Sequence, residues 1–419
     1  MKKTDESGHE YNPETLALGY GYDPARSEGS VKPPVFLTST FQFKSSKEGK
    51  RFFELAYGLD QNQQNEEMGL IYSRINNPNL QIFEERIAAW DQTEKGAVFA
   101  SGMAAIATTI LSLLKPGDYI ISSAPVYGGT HFLFKHILPK FNINTIQVLG
   151  GDETPQLMKQ AAETLGPGKV KMLYIETPAN PSNALIDIAK VSELASQLGK
   201  GQDKVLTVVD NTFLGPVFQR PAHFGADLIL YSATKFIGGH SDLVAGVVTG
   251  SKSLVDQIMT YRTILGTMAN PFTGWLLLRS LETLSVRMRR QAKNSQKLCE
   301  LLINHPKVAK VYYPSLHEVG SEQHRIYKQQ CTGSGSLISF DVKGDENEAF
   351  RVLDAFKIAR LAVSLGGTES LVEHPMSMTH ADVAKEDLIR FGVSPSMIRM
   401  SVGLEHISDL KRDLLQALG

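Results

Sequence analysis

Four short stretches put reactive side chains at the ends of apolar runs. "YSATK" ends on Lys235, "VVDNT" carries Asp210, "VFASGM" carries Ser101, Gly102 and Met103, and "IETPANP" runs through Glu176 to Pro181. A lysine that is partly desolvated or set beside a cation has a lowered pKa, and its free amine can form an imine with an aldehyde or a ketone. The plain alternative is a solvated surface ammonium, the commonest fate of a lysine. Asp210 follows "VLTVV". A carboxylate there needs a partner, which a structural ion pair, a helix cap or a protonated ring nitrogen would each supply.

The flanking residues narrow the chemistry. "ASGM" reads as a strand-to-helix turn, where backbone N–H groups without intrahelical acceptors attract a phosphate. Ser232 and Thr234 set two hydroxyls beside Lys235. Each signal alone is common. Together they describe a phosphate cradle, a carboxylate for a ring nitrogen and an amine for an aldehyde, the contacts that pyridoxal 5'-phosphate requires. Tyr127, in "APVYGGT", can stack on a pyridine ring, with an ordinary core or surface tyrosine as the alternative. Arg399, in "MIRMSVGLE", can clamp a carboxylate in a bidentate fork, against the alternative of a solvated strand arginine. His240 and His380 have no carboxylates or cysteines at ligand spacing, so no metal site is expected.

These residues need a scaffold that brings strand ends to one rim. From Asn79 onward, short apolar runs alternate with amphipathic stretches: "GAVFA", "DYIISS", "NTIQVL", "VKMLYIET", "KVLTVVDN", "ADLILYSA" and "LVAGVVTG" read as strands. "NLQIFEERIAAW", "SGMAAIATTILSLL", "GGTHFLFKHIL", "TPQLMKQAAETL" and "LIDIAKVSELASQLG" read as helices. Strands without clean alternation, separated by helices, predict an α/β protein with a mostly parallel sheet covered on both faces. Functional residues of such sheets gather at the strands' carboxyl ends. Residues 1–70 read as an N-terminal arm, with a helix at "KEGKRFFELAYGL" and a polar loop at "DQNQQNEEMG". Residues 71–270 form the large domain. Residues 271–419 form a connecting helix, with a break or kink at Pro271, and a smaller α+β domain with strands near "GSLISFDV", "IARLAVSL" and "MIRMSVGLE".

Bulk properties agree with two packed units. The chain has 419 residues, beyond the roughly 250 to 300 at which a single core stops growing. Its formal net charge of -1 offers no general attraction to nucleic acid or an anionic membrane. The cysteines, Cys299 and Cys331, are far apart, so neither a disulfide framework nor a zinc site is expected, and the setting reads as cytoplasmic. No run is apolar enough to span a bilayer.

From about Leu16 to the C-terminus the chain resembles the cysteine and methionine metabolism family of pyridoxal-phosphate enzymes. The marks are "YSRINNP", "ASGMAAI", "VYGGT", "YIETPANP", "VVDNT", "YSATKFIGGHSD", "SLGGTESLVEHPMSMTH" and "RMSVGLE". The resemblance implies an aminotransferase-like type I large domain and a small C-terminal domain. It matches Lys235 with the lysine bonded to the cofactor, Asp210 with the ring-nitrogen partner, and Tyr127 with the stacking residue that assists proton transfer. Gly102, Met103, Ser232 and Thr234 match phosphate-binding positions. Tyr72 and Arg74 match residues that reach the phosphate of a neighbouring subunit, with the N-terminal arm at the interface, which implies a homotetramer built from dimers with shared sites. Arg399, Asn180 and Ser364 match contacts to the amino-acid substrate's carboxylate and the cofactor region.

Within the family, cystathionine-handling members tend to carry acidic residues where this chain has Ile71 and Val363. Apolar side chains cannot satisfy an ammonium and suit the methyl group of methionine better. Methionine γ-lyases, however, commonly have a cysteine at the position of Gly129. The expected reaction is γ-elimination of L-methionine to methanethiol, 2-oxobutanoate and ammonia. The alternatives are γ-replacement by a cystathionine γ-synthase or O-acyl-homoserine sulfhydrylase, a cystathionine γ- or β-lyase, and a catalytically silent homologue.

Overall fold

A computed structural model describes residues 1–59, 68–201, 203–381 and 383–419. Most of the segment "DQNQQNEEMG" therefore lies outside the described residues. Seven strands, β1 (Lys95–Phe99), β2 (Tyr119–Ala124), β3 (Asn144–Leu149), β4 (Val170–Glu176), β5 (Leu206–Asp210), β6 (Leu228–Tyr231) and β7 (Gly246–Gly250), form one sheet. Their order is β1-β7-β6-β5-β4-β2-β3. Strand β7 runs antiparallel to both its neighbours, and the other pairings are parallel. The expected mostly parallel α/β sheet is present.

The strands read as continuous apolar runs because both faces are covered. Ile121, Leu173 and Val209 pack with Met158 and Val191 from the helices Thr154–Leu165 and Ile188–Leu198. Their neighbours Ile120, Met172 and Val208 pack on the other face with Ile106, Ile110 and Ile258 from the helices Gly102–Leu113 and Lys252–Leu265. A strand's two-residue alternation then sends Glu176 and Asp210, in step with Met172 and Val208, towards the Gly102–Leu113 face.

A second sheet holds β8 (Val308–Tyr312), β9 (Leu337–Val342), β10 (Arg360–Leu361), β11 (Leu371–Glu373) and β12 (Met397–Ser401) in the order β10-β11-β12-β9-β8. The helix Leu284–Ile303 bonds through its side chains to the segment after β6 and to the segments flanking β11 and β12. Arg287 Nη1 donates to Phe236 O (2.8 Å) beside Lys235, while Gln291 Nε2 donates to Gly367 O (2.6 Å) and Asn294 Nδ2 to Gly403 O (3.1 Å).

The expected break at Pro271 is present, between helices ending at Leu265 and starting at Pro271, and two other local expectations change. Pro271 begins the helix Pro271–Leu281, with the Asn270 side chain accepting from the Thr273 N–H, because a proline at the first helical position loses no intrahelical bond. "GGTHFLFKHIL" breaks into a short helix Gly128–Phe132, a wide π turn and a 3₁₀ turn containing Pro139, since that proline cannot donate within an α-helix. "IARLAVSL" pairs only at Arg360–Leu361, and the chain then turns at Ser364, whose φ is +121°. In the N-terminal region the helix Ser46–Ala56 forms as expected, and the helix Pro13–Gly19 is tied to the large domain by Arg86, which donates to Ala17 O and Tyr20 O.

Candidate active site

The parallel strands end on one rim, and their last residues meet there. Beyond β1, Ser101 caps the helix Gly102–Leu113 by accepting from the Ala104 N–H at 3.0 Å. Gly102 and Met103 fall in the first turn, where backbone N–H groups have no intrahelical acceptor. A Cβ at Gly102 would stand 3.0 Å from the Ser232 Cβ, and one at Gly246 would run into Ser101 O. Glycine at both positions lets the helix start close against the end of β6, bringing Ser232 beside it.

Lys235 follows β6 in a turn locked by neighbours. Thr234 Oγ1 donates to Ala245 O and accepts from the Ala245 N–H (3.2 and 3.0 Å), and the Lys235 N–H donates to Ser232 O. The Thr234 hydroxyl thus ties the turn to the segment leading into β7. The Lys235 ammonium donates to Ser364 Oγ at 2.9 Å. Burial, reinforced by the nearby Arg399 charge, pulls its pKa down to about 8 from 10.5. It is therefore an amine that releases its proton far more readily than a surface lysine.

Asp210, at the end of β5, is buried. Its Oδ1 accepts from the Thr212 hydroxyl (2.6 Å) and the Thr212 N–H (3.1 Å), and its Oδ2 from the Tyr174 hydroxyl (3.4 Å). Burial raises its carboxyl pKa against those three donors. Glu176 pairs in register with Asp210 across β4 and β5. Its carboxyl is likewise pushed up by burial and by Asp210, and pulled down by the N–H groups of Tyr127 and Asn180 and by Arg399. Two adjacent buried carboxylates call for a cation between strand end and solvent.

Tyr127 stands after β2, 45% exposed, with its N–H bonded to Glu176 Oε2 at 2.8 Å. A Cβ at Gly129 would come within 2.7 Å of the Tyr127 ring and 3.1 Å of Met103 Sδ, so the bare backbone leaves that ring its place. Arg399, on β12, is buried. Its Nη1 reaches Asn180 Oδ1 (3.0 Å) and Glu373 Oε1 (2.9 Å), and its Nη2 donates to Ser364 O (3.0 Å). Its Nε has no hydrogen-bond partner among the described residues.

The structure thus links Lys235, Ser364, Arg399, Asn180, Glu176 and Tyr127 in one chain of hydrogen bonds, with Asp210 beside Glu176 by strand register and Gly102, Met103, Ser232 and Thr234 at the neighbouring strand ends. Other expected residues stand apart. Among the described residues, no hydrogen bond joins Tyr72 or Arg74 to this cluster: Tyr72 is exposed and bridges to Thr40, and Arg74 Nη1 donates to Thr263 O at 2.6 Å. Ile71 is buried, with its N–H bonded to Asn76 Oδ1, whereas Val363 is 58% exposed next to Ser364. His240 Nδ1 is bonded to Gly238 O, and no metal-binding group of histidine, cysteine and carboxylate side chains occurs among the described residues. Sequence reasoning missed Thr212, Tyr174 and Glu373. A carboxylate inside the apolar run "SLVEHP" was the available signal for Glu373, but its partner depends on strand register.

The donor set fits pyridoxal phosphate: a desolvated primary amine, a buried carboxylate, free N–H groups at a helix start beside a serine hydroxyl, and an exposed aromatic ring. Two polar clefts of about 360 and 520 Å³ share Lys204 and Asp227 and contain none of these groups. The model of the Cys/Met metabolism PLP-dependent enzyme family matches residues 14–419. An L-methionine gamma-lyase of Pseudomonas deceptionensis is 39% identical over 406 residues, covering 96% of each chain. A cystathionine beta-lyase of Coxiella burnetii is 38% identical over 407 residues, 97% of each. A cystathionine gamma synthase from Xanthomonas oryzae pv. oryzae, solved with aminoacrylate and cysteine, superimposes with a TM-score of 0.87 at 34% identity, covering 98% of both chains. With the amine, carboxylate and helix start assembled on one rim, the chain belongs to the Cys/Met metabolism family of PLP-dependent enzymes.

Proposed function

We propose that the protein is a methionine γ-lyase, converting L-methionine and water to methanethiol, 2-oxobutanoate and ammonia. The observation that carries this reading is the apolar pair Ile71 and Val363, where an ammonium-bearing substrate would need a carboxylate. Five relatives between 36% and 39% identical bear the name L-methionine gamma-lyase and support it.

Lys235, Tyr127 and Asp210 are the proposed catalytic residues. Bound at this rim, the cofactor supplies an aldehyde for the substrate amine and a ring that accepts electron density. Lys235 and Asp210 would hold its aldehyde carbon and ring nitrogen, Tyr127 its ring face, and Gly102, Met103, Ser232 and Thr234 its phosphate. Tyr72 and Arg74 would reach the phosphate of a neighbouring subunit, making a dimer the smallest complete unit and a homotetramer the assembly. The free Nε of Arg399, with its adjacent Nη2, forms the fork for the substrate carboxylate. Asn180 orients that fork through Nη1, and Ser364 stands between it and the amine. Lys235 Nζ, poised near pH 8, takes the proton from the substrate Cα. A further proton transfer from the substrate Cβ supplies the electron pair that breaks the Cγ–S bond, and the Tyr127 hydroxyl delivers a proton to the departing sulfur. Two thiols raised by burial, Cys299 and Cys331, suit a reducing cytoplasm.

Holoenzyme given L-methionine alone should release the three products in equal amounts. No release, together with replacement of the acyl group of an O-acyl-homoserine by a thiol, would overturn this reading. Gly129 and the likeness to a cystathionine gamma synthase favour that second reaction. Cystathionine in the same panel separates the lyases.

A further inference from the structure

Glu176 carries more of the site's geometry than its place at a strand end requires. Its side chain is buried, and its two carboxyl oxygens serve two different segments. Oε2 accepts the N–H of Tyr127, on the loop after β2, at 2.8 Å. Oε1 accepts the N–H of Asn180, on the loop after β4, at 3.3 Å. Asn180 passes the contact on, since its Oδ1 takes Arg399 Nη1 at 3.0 Å. The Glu176 backbone is itself held, its N–H donating to Ser123 Oγ at 3.2 Å. One side chain therefore lies between the aromatic ring on one side and the arginine on the other.

A purely structural need would have been met more cheaply. Buried backbone N–H groups want acceptors, but a neutral serine or glutamine oxygen satisfies one such group without a second carboxylate beside Asp210. Burial and Asp210 push the Glu176 carboxyl up to about 8 while the two N–H groups pull it down; in its ionised form, which dominates above that pH, it has two equivalent acceptor oxygens on a rigid plane and serves both N–H groups at a fixed separation. Glutamine has the same shape but one acceptor, and its amide NH₂ would face one of the two N–H groups as donor against donor.

We propose that Glu176 is a positioning residue of the reaction, setting Tyr127 and the Asn180–Arg399 clamp at a fixed mutual distance through its two carboxyl oxygens. The inference rests on the roles given above to Tyr127 and Arg399, though not on methionine being the substrate.

Assayed above pH 8, where Glu176 is ionised, holoenzyme carrying Glu176→Gln should show KM for L-methionine raised about tenfold or more, the loss expected when a charge-assisted bond is replaced by a mismatched one. Its cofactor dissociation constant, measured without substrate, should rise several-fold as Tyr127 loses its anchor. Because Glu176 and Asn180 act along one path, Glu176→Gln with Asn180→Ala should raise KM little beyond the larger single effect. Fold-changes that multiply, or unchanged KM and cofactor affinity in a folded Glu176→Gln protein, would overturn the proposal. Should Glu176→Gln fail to fold, amide hydrogen exchange in wild-type holoenzyme decides. The Tyr127 and Asn180 amides should be protected together and open at a common rate, and independent opening refutes the link. If methionine is not turned over, cofactor affinity and exchange still report on Glu176, so the two failures are distinguishable.

Discussion

Glu373 and Arg399 stand opposite each other on β11 and β12, and their buried side chains form an ion pair of 2.9 Å. Strand register, not sequence proximity, makes the pair. The guanidinium spends Nη1 on Glu373 and Asn180, spends one bond of Nη2 on Ser364 O, and keeps Nε free. A lysine at 399 offers one point charge in place of this planar fork. Arg399→Lys should therefore raise KM for the amino-acid substrate by about 10- to 100-fold, with a smaller fall in kcat, in steady-state kinetics. Glu373→Ala should lower stability by about 3–5 kcal/mol, read from denaturant midpoints, because it strands a buried cation.

Lys235 predicts a pH signature. Its pKa is lowered to about 8, so its neutral fraction at pH 7 is about one in ten instead of a trace. Only the neutral amine attacks an aldehyde. Capture of the cofactor by the apo-protein should accelerate about tenfold per pH unit below 8 and level off above it, followed by the visible absorption band of the bound cofactor. Lys235→Ala should abolish that band and cut turnover by at least about 10²- to 10⁴-fold.

Asp91 lies on the opposite face of the sheet, wholly buried, accepting from the Tyr231 and Thr249 hydroxyls at 2.6 Å each. Burial pushes its carboxyl up to about 6. The native state then holds this proton more tightly than the unfolded chain, whose aspartates titrate near 3.9. Asp91 thus costs stability progressively as pH rises from about 4 to about 6, by about 3 kcal/mol in all. Asp91→Asn keeps an acceptor for Tyr231 and offers a donor to Thr249. The variant should be the more stable protein at pH 7, and the difference should vanish towards pH 4 in paired urea melts.

Val363 is exposed beside Ser364, so a carboxylate there can be solvated and can meet a substrate ammonium. Val363→Glu should lower kcat/KM for methionine and raise it for cystathionine, shifting their ratio by about tenfold or more. A competition assay with both substrates reads the ratio directly. An unchanged ratio would remove Val363 from the specificity argument.

The sequence by itself determined the sheet, the order of its chemistry-bearing strand ends and the family. Apolar runs of strand length, amphipathic helices and turn residues are local signals, and "YSATK", "VVDNT" and "ASGM" sit where those signals end. Local pattern also misled at "IARLAVSL", because an apolar run does not reveal that the chain must turn at Ser364 to reach Lys235. Only the tertiary structure decided which groups share charge and hydrogen bonds. Glu176 meets Asp210, and Glu373 meets Arg399, through strand register. Glu176 joins Tyr127 to Asn180 because two loops after different strands converge on one carboxylate. Such pairings depend on distances between segments far apart in the chain, and the free energies that shift Lys235 and Asp91 exist only once burial has removed their water.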